Sequence, residues 1–154
     1  MNNKAVFAGT FDPFTLGHYE LAKRASEIFD EVIIAVALSE KHCKFSIEQR
    51  IEIARRSVSS LKKVTVMNFC GLLTDFMKEV NAKTFIRGLR NTVDFEYEKN
   101  LLNAYKSFDS EIEGVYFMTS PSLSHVSSSL VREVLSLNGD VSTLVRWEAT
   151  ELIK

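Results

Sequence analysis

Apolar residues fall along this chain in two alternating patterns. Short unbroken runs occur at Ala5 to Ala8, Val32 to Leu38, Val64 to Met67, Thr84 to Ile86 and Val115 to Met118. Runs without polar alternation predict strands buried on both faces, because neither set of side chains meets water. The intervening segments space their apolar residues by three or four: Leu21, Ala25, Ile28 and Phe29, then Ile47, Ile51, Ala54 and Val58. That spacing puts them on one side of a helix. Leu72, Leu73, Phe76, Met77 and Val80 make a third stripe, Val93, Tyr97, Leu101, Ala104 and Phe108 a longer fourth, and Leu130, Val131, Val134 and Leu135 a fifth. Ser46 followed by Gln49 predicts a capping box at a helix start, and Asn138-Gly139 predicts a helix stop.

Five strand-then-helix units in succession predict an α/β fold: a Rossmann-like, doubly wound, five-stranded parallel sheet with helices on both faces. The 154 residues, 45% of them hydrophobic, suffice for one core, so 1–154 reads as a single domain. The end, 141–154, reads as short helices packed on the body or on a neighbouring subunit. Trp147 and the aromatic positions Tyr97, Tyr105 and Phe108 are expected in the core or at such an interface rather than around a cofactor.

Charge changes the picture only by what it removes. Nineteen Lys and Arg against twenty Asp and Glu give no reason to expect a nucleic-acid or membrane partner, so an anionic ligand must be held locally. Cys43 and Cys70 are too few and too far apart for a disulfide scaffold, which suits a reducing cytoplasm. Neither a secretory signal nor a membrane-spanning run is expected.

Ligands of open α/β sheets lie beyond the carboxyl ends of the strands, and three of those loops carry unusual chemistry. The first, from Gly9 to His18, reads GTFDPFTLGH and brings His18 to a helix start, where free amides face an anion. Near a helix N-terminus a histidine is held toward its neutral form yet can donate to phosphate, and Thr10 adds a hydroxyl. In the second, Arg87 and Arg90 flank Gly88 at the end of a buried run, a spacing suited to phosphate through fork-shaped guanidinium donors. The third runs from Ser124 through His125, Val126, Ser127, Ser128 and Ser129 into a helix. A strand order that reverses between the first and fourth strands would bring these loops to one crevice. Neither a Gly-x-x-x-x-Gly-Lys-Ser/Thr loop nor Gly-x-Gly-x-x-Gly is present, so side chains and helix ends must hold the phosphates.

With these residues in view, GTFDPFTLGH, IRGLRNTVDFEYE (Ile86 to Glu98) and VSSSLVRE (Val126 to Glu133) resemble the bacterial phosphopantetheine adenylyltransferases, and the likeness runs over nearly the whole chain. The resemblance implies transfer of an adenylyl group from ATP to 4'-phosphopantetheine, giving dephospho-coenzyme A and pyrophosphate, with Mg2+ required. By motif position it implies that Thr10, Phe11, His18, Gly88, Leu89, Arg90, Glu98 and Leu123 to Ser129 contact ATP. Thr10, Leu73, Arg87 and a lysine, Lys41 before Lys44, would contact the acceptor. His18, Thr10 and Arg90 would be catalytic. A homohexamer and feedback by coenzyme A are also implied. The chain departs from the family at Ala8 and Leu123, where proline and tryptophan are frequent, and in the loop at Ser39 to Lys44, which is one residue shorter.

The mechanism needs no protein nucleophile. The acceptor phosphate attacks and pyrophosphate leaves, so the protein aligns the reactants and stabilises charge. Two alternatives stay open at this point: a related transferase using CTP or another phosphorylated acceptor, and a silent nucleotide-binding regulatory subunit.

Overall fold

The computed structural model describes residues 3–38 and 42–154. Five parallel strands, β1 (Lys4–Gly9), β2 (Glu31–Ala37), β3 (Val64–Phe69), β4 (Thr84–Leu89) and β5 (Glu113–Met118), lie in the order β3-β2-β1-β4-β5. Helices α1 (Leu16–Ile28), α2 (Ile47–Ser57), α3 (Leu73–Glu79), α4 (Thr92–Phe108) and α5 (Ser128–Ser136) follow the strands in turn.

Alternate residues of the central strands feed two cores. Ala5 and Phe7 of β1, with Val32, Ile34 and Val36 of β2, pack against Leu21, Ala22 and Ala25 of α1, Ile53 and Ala54 of α2 and Val131 of α5. The residues between them, Val6, Ala8, Ile33 and Ala35, pack with Phe85 against Leu73, Phe76 and Met77 of α3. Both faces of the middle of the sheet are therefore dry, as the unbroken runs predict. The edge strand β3 is a correction to that reading. Its Thr65 and Met67 are exposed while Val64 and Val66 pack on the first core, so the other face of this edge is covered only at its carboxyl end, where Phe69 meets Phe76 of α3.

The fourth stripe is a second correction. The period is helical and α4 forms, but the side it turns to the sheet carries Leu102 and Tyr105, with Tyr105 edge-on to Phe85. Val93, Tyr97 and Phe108 remain 75%, 65% and 59% exposed. Trp147 is likewise exposed. For Tyr97, Phe108 and Trp147 the core reading is thus excluded and the interface reading remains.

The predicted caps form. Ser46 and Gln49 exchange hydrogen bonds at the start of α2. After α5 the main chain turns through Asn138 at φ +56°, and Gly139 N–H donates to Val134 C=O at 2.8 Å. The C-terminal segment contributes one 3-10 helix, Trp147–Leu152, and anchors to the body through Val141, Leu144, Val145, Ala149 and Ile153. Leu144 C=O also accepts from Leu16 N–H, the first amide of α1, at 2.9 Å. Cys43 and Cys70 form no disulfide.

Candidate active site

The sheet itself makes the crevice. Paired with β2 over six positions, β1 meets β4 over only two, Ala5 with Thr84 and Val6 with Phe85. Beyond those pairs the carboxyl ends of β1 and β4 part, as expected where strand order reverses. Arg87 bridges the gap, its Nη1 donating to Ala8 C=O at 2.8 Å in place of a ladder bond.

Two cavities open here. One, of about 540 Å3, is lined by Gly17, His18, Arg87, Gly88, Arg90, Asp94, Tyr97, Glu98, Thr119 and Val126 to Ser128. The other, of about 410 Å3, is lined by Gly9 to Asp12, His18, His42, Cys43, Arg87, Ser128 and Arg132. Phe7, His18, Arg87 and Ser128 border both, so the histidine and one arginine stand at the junction.

The first loop is fixed from several directions. Successive carbonyls accept from Arg87 at Ala8, from Arg50 at Thr10 (2.7 Å), from Arg132 at Asp12 (2.7 Å) and from the Ser128 hydroxyl at Pro13 (2.7 Å). The Asp12 carboxylate accepts the Lys44 and Phe45 amides at 2.8 and 2.9 Å, tying this loop to the one after β2. Phe11 sits at φ +49°, a region disfavoured for side-chain-bearing residues, and is wedged among the rings of Phe7, Phe14 and His18. A Cβ at Gly9 would meet the Phe11 ring at 3.1 Å, so packing explains this glycine.

His18 occupies the third position of α1. Thr15 N–H donates to its Nδ1 at 3.0 Å, and the Thr15 hydroxyl lies 3.1 Å from the same atom. A main-chain amide can only donate, so Nδ1 is an acceptor and the neutral ring carries its proton on Nε2. Burial lowers the His18 pKa to about 4, with Arg90 and then Arg87 acting in the same direction. At neutral pH the site therefore holds an uncharged imidazole with one N–H to offer.

On the other side, Gly88 lets β4 approach α1, since a Cβ there would lie 2.6 Å from a Leu21 methyl. Arg90 is tied to Asp94 and Arg87 faces Glu98, whose side chain is buried. Burial raises the Glu98 pKa, Arg87 opposes the shift and Asp94 reinforces it. At the start of α5, Ser127 caps the helix through Leu130 N–H, Ser128 is bonded to Pro13 and Ser129 accepts from Arg132. Their hydroxyls serve the fold, and what this helix start offers an anion is its main-chain amides.

Among the predicted residues, Thr10, Phe11, His18, Arg87, Gly88, Arg90, Glu98 and Val126 to Ser128 line one cavity or both. Leu73 packs in the second core and lines neither, and Leu89, Leu123, Ser124, His125 and Ser129 stand outside the two linings. Lys41 lies outside the described residues. Lys44 contributes its amide to Asp12, while its ammonium lies 5.9 Å from the centre of the Phe45 ring. Sequence reasoning missed Asp12, Arg50, Asp94 and Arg132. Arg50 carried a usable signal, a cation on the apolar side of a helix, and it is 1% exposed.

A sheet that opens at its reversal point, a neutral histidine at a helix start and two arginines at the end of the facing strand are the features of a nucleotidyltransferase class. The Cytidylyltransferase-like family matches residues 6–134. A phosphopantetheine adenylyltransferase from Nautilia profundicola is 46% identical over 155 aligned residues, covering 100% of this chain and 99% of that protein. The chain therefore belongs to the phosphopantetheine adenylyltransferase family, within the cytidylyltransferase-like class. A crystal structure from Vibrio parahaemolyticus, whose name proposes a nicotinate-nucleotide adenylyltransferase, superposes with a TM-score of 0.68 over 99% of both chains at 18% identity, a likeness of fold.

Proposed function

We propose that this protein transfers the adenylyl group of ATP to 4'-phosphopantetheine, releasing pyrophosphate and forming dephospho-coenzyme A, the penultimate step of coenzyme A synthesis. The observation that carries the reading is the junction: His18 and Arg87 border both cavities, so one group can meet a nucleotide from one side and a phosphorylated acceptor from the other. The larger cleft suits ATP, with Gly88 and Arg90 on one wall and the amides of α5 on the other. The smaller cavity, with Thr10 and Arg87, suits the acceptor phosphate.

In the proposed reaction an acceptor oxygen attacks the α-phosphorus, a new P–O bond forms and the bond to the β-phosphate breaks, sending charge onto pyrophosphate. His18 Nε2–H donates to the α-phosphate as charge moves, Thr10 orients the attacking phosphate and Arg90 steadies the triphosphate. The buried, uncharged form of His18 needs no proton transfer to do this.

Mg2+ belongs to the proposal as a companion of the triphosphate, where it would offset phosphate charge. Among the described residues no three His, Cys, Asp or Glu side chains gather as a ligand set. The cleft acids Asp94 and Glu98 already face Arg90 and Arg87, so phosphate oxygens are the donors that fit. A homohexamer is proposed as the assembly, supported by the exposed apolar residues of α4 and by Trp147. A cytoplasmic location and feedback by coenzyme A complete the proposal. Among the described residues no helix is long and apolar enough to cross a membrane.

Pyrophosphate release tests it, with ATP or CTP, with and without Mg2+, and with phosphopantetheine, nicotinate mononucleotide or glycerol 3-phosphate as acceptor. Turnover confined to ATP, Mg2+ and phosphopantetheine is expected. Faster turnover with another acceptor, or ATP binding with no release for any, overturns it.

A further inference from the structure

The end of β1 lies between two arginines. On the β4 side Arg87 donates to Ala8 C=O at 2.8 Å. On the β2 side the last register pair of the ladder is Gly9 with Val36. One step further a side chain joins the two strands: Nη1 of Arg50, from α2, donates to Thr10 C=O at 2.7 Å and to Ala37 C=O at 3.0 Å. Arg50 is the bulkiest of the fully buried side chains among the described residues. Its Nε is buried without a hydrogen-bond partner, and no carboxylate among those residues forms a salt bridge with it.

A buried cation is a costly way to fasten two strands. Its loss of hydration is offset only by close and complete bonding, and apolar packing of similar volume often serves stability as well or better. The atoms that Arg50 holds give the charge another use. Thr10 borders the smaller cavity and not the larger, while Arg50 borders neither and so meets no substrate. Directly after Thr10 the chain turns, with Phe11 at φ +49°. A grip on Thr10 C=O therefore fixes the peptide plane that leads into that turn. With Ala8 held by Arg87 as well, the chain is pinned on both sides of Gly9, which sets the Thr10 side chain against Arg87. Reaching two carbonyls from one buried stem suits the long, planar guanidinium and not an ammonium.

We propose that Arg50 is a positioning residue for the transfer reaction. It holds the Thr10 main chain so that the Thr10 hydroxyl and Arg87 meet the acceptor phosphate at a fixed spacing. This rests on the acceptor cavity and the role of Thr10 given above.

The test is a double-mutant cycle of wild type, Arg50→Lys, Thr10→Val and the two combined. It reads kcat and the KM of each substrate, counted per site that binds ATP in calorimetry, beside denaturant unfolding. Lysine keeps the charge but ends short of the two carbonyls. Arg50→Lys is expected to lower kcat with phosphopantetheine roughly tenfold or more, as small misplacements of reacting groups do. ATP affinity should stay near wild type, because Thr10 does not border the larger cleft. Thr10→Val removes the hydroxyl being placed, so in that background Arg50→Lys should cost no more than about a further twofold. The same loss in both backgrounds would make Arg50 a fastener of the fold and overturn the proposal. So would a lowered unfolding midpoint with kcat per site unchanged, or a loss confined to ATP affinity. Should Arg50→Lys not fold, Arg50→Met, of similar length and with no charge to bury, is read in the same cycle. Wild-type protein that releases no pyrophosphate with phosphopantetheine sinks the acceptor assignment instead. The cycle is then read on binding of inorganic phosphate, where coupled losses support the placing of Thr10, and additive losses, or a wild type that binds none, overturn it.

Discussion

Opposite the strand-four loop, α1 enters the cleft through a locked turn: Thr15 and His18 exchange hydrogen bonds, Phe11 and Phe14 pack on the His18 ring, and Leu144 holds the first amide. Across the gap α4 is longer, 17 residues against 13, yet Glu98 is its one buried side chain. The first wall is held by packing and a reciprocal capping box; the second, with its own cap at Asn91, is held by the ion pairs Arg87–Glu98, Arg90–Asp94 and Lys106–Glu113, by the Tyr116 hydroxyl on Glu98 C=O and by a thin apolar contact at Leu102 and Tyr105. The contrast assigns different work to the two sides. A donor that must meet a developing charge within tenths of an ångström belongs on the packed wall. Groups that hold flexible polyphosphates tolerate the looser one.

The largest effect should come from breaking the packed wall. Phe14 is fully buried against Phe11 and His18. Phe14→Ala is expected to lower unfolding free energy by about 3–5 kcal/mol, the usual range for a buried aromatic. Denaturant unfolding checks it. A loss comparable to that of an exposed α4 residue would erase the distinction between the walls.

Next comes the donor on that wall. His18→Ala should cost about 3 kcal/mol of barrier, seen in kcat, while the ATP KM changes little, since the bond strengthens only in the transition state. Equal losses in both would make His18 a ground-state binder. The same side chain gives a pH signature. Its pKa falls from 6.5 to about 4 on folding, so between those values the unfolded chain takes up a proton that the native chain refuses. His18 therefore contributes stability that is fully present above pH 6.5 and lost as pH drops toward 4. Comparing wild type with His18→Gln across that window isolates the contribution, and parallel curves would sink it.

Much of the packed wall was legible in the sequence because it depends on neighbours in the chain. The run Ala5 to Ala8, the turn-rich GTFDPFTLGH and a histidine at the helix start each carry local signals, and they fold where the pattern puts them. The strand reversal entered the sequence reading only as the condition under which the loops meet, and the order β3-β2-β1-β4-β5 meets it. Asp94, four residues from its partner Arg90, was missed despite a local signal, but the rest of what stayed hidden depends on contacts far apart in sequence. The Asp12 carboxylate bonds amides more than thirty residues away, and Arg50 and Arg132 donate to carbonyls forty and 120 residues distant. On α4 the periodicity gave the helix but not its rotation, because Val93, Tyr97 and Phe108 on one side and Leu102 and Tyr105 on another are both apolar.

The smallest effect tests what that outward stripe is for. Phe108 ends α4, is 59% exposed and lines neither cavity. In a single chain Phe108→Ser should change unfolding free energy by about 0.5 kcal/mol at most, as surface substitutions do. If the stripe packs on a neighbouring copy, the same substitution removes apolar area from an interface, and the loss appears as a shift to smaller assemblies at a given concentration. Sedimentation of wild type and Phe108→Ser over a dilution series separates the cases. Unchanged assembly with unchanged stability would leave α4 a solvent-facing wall, whereas dissociation with a single-chain stability near wild type would make the loosely held side of the cleft a side completed by another subunit.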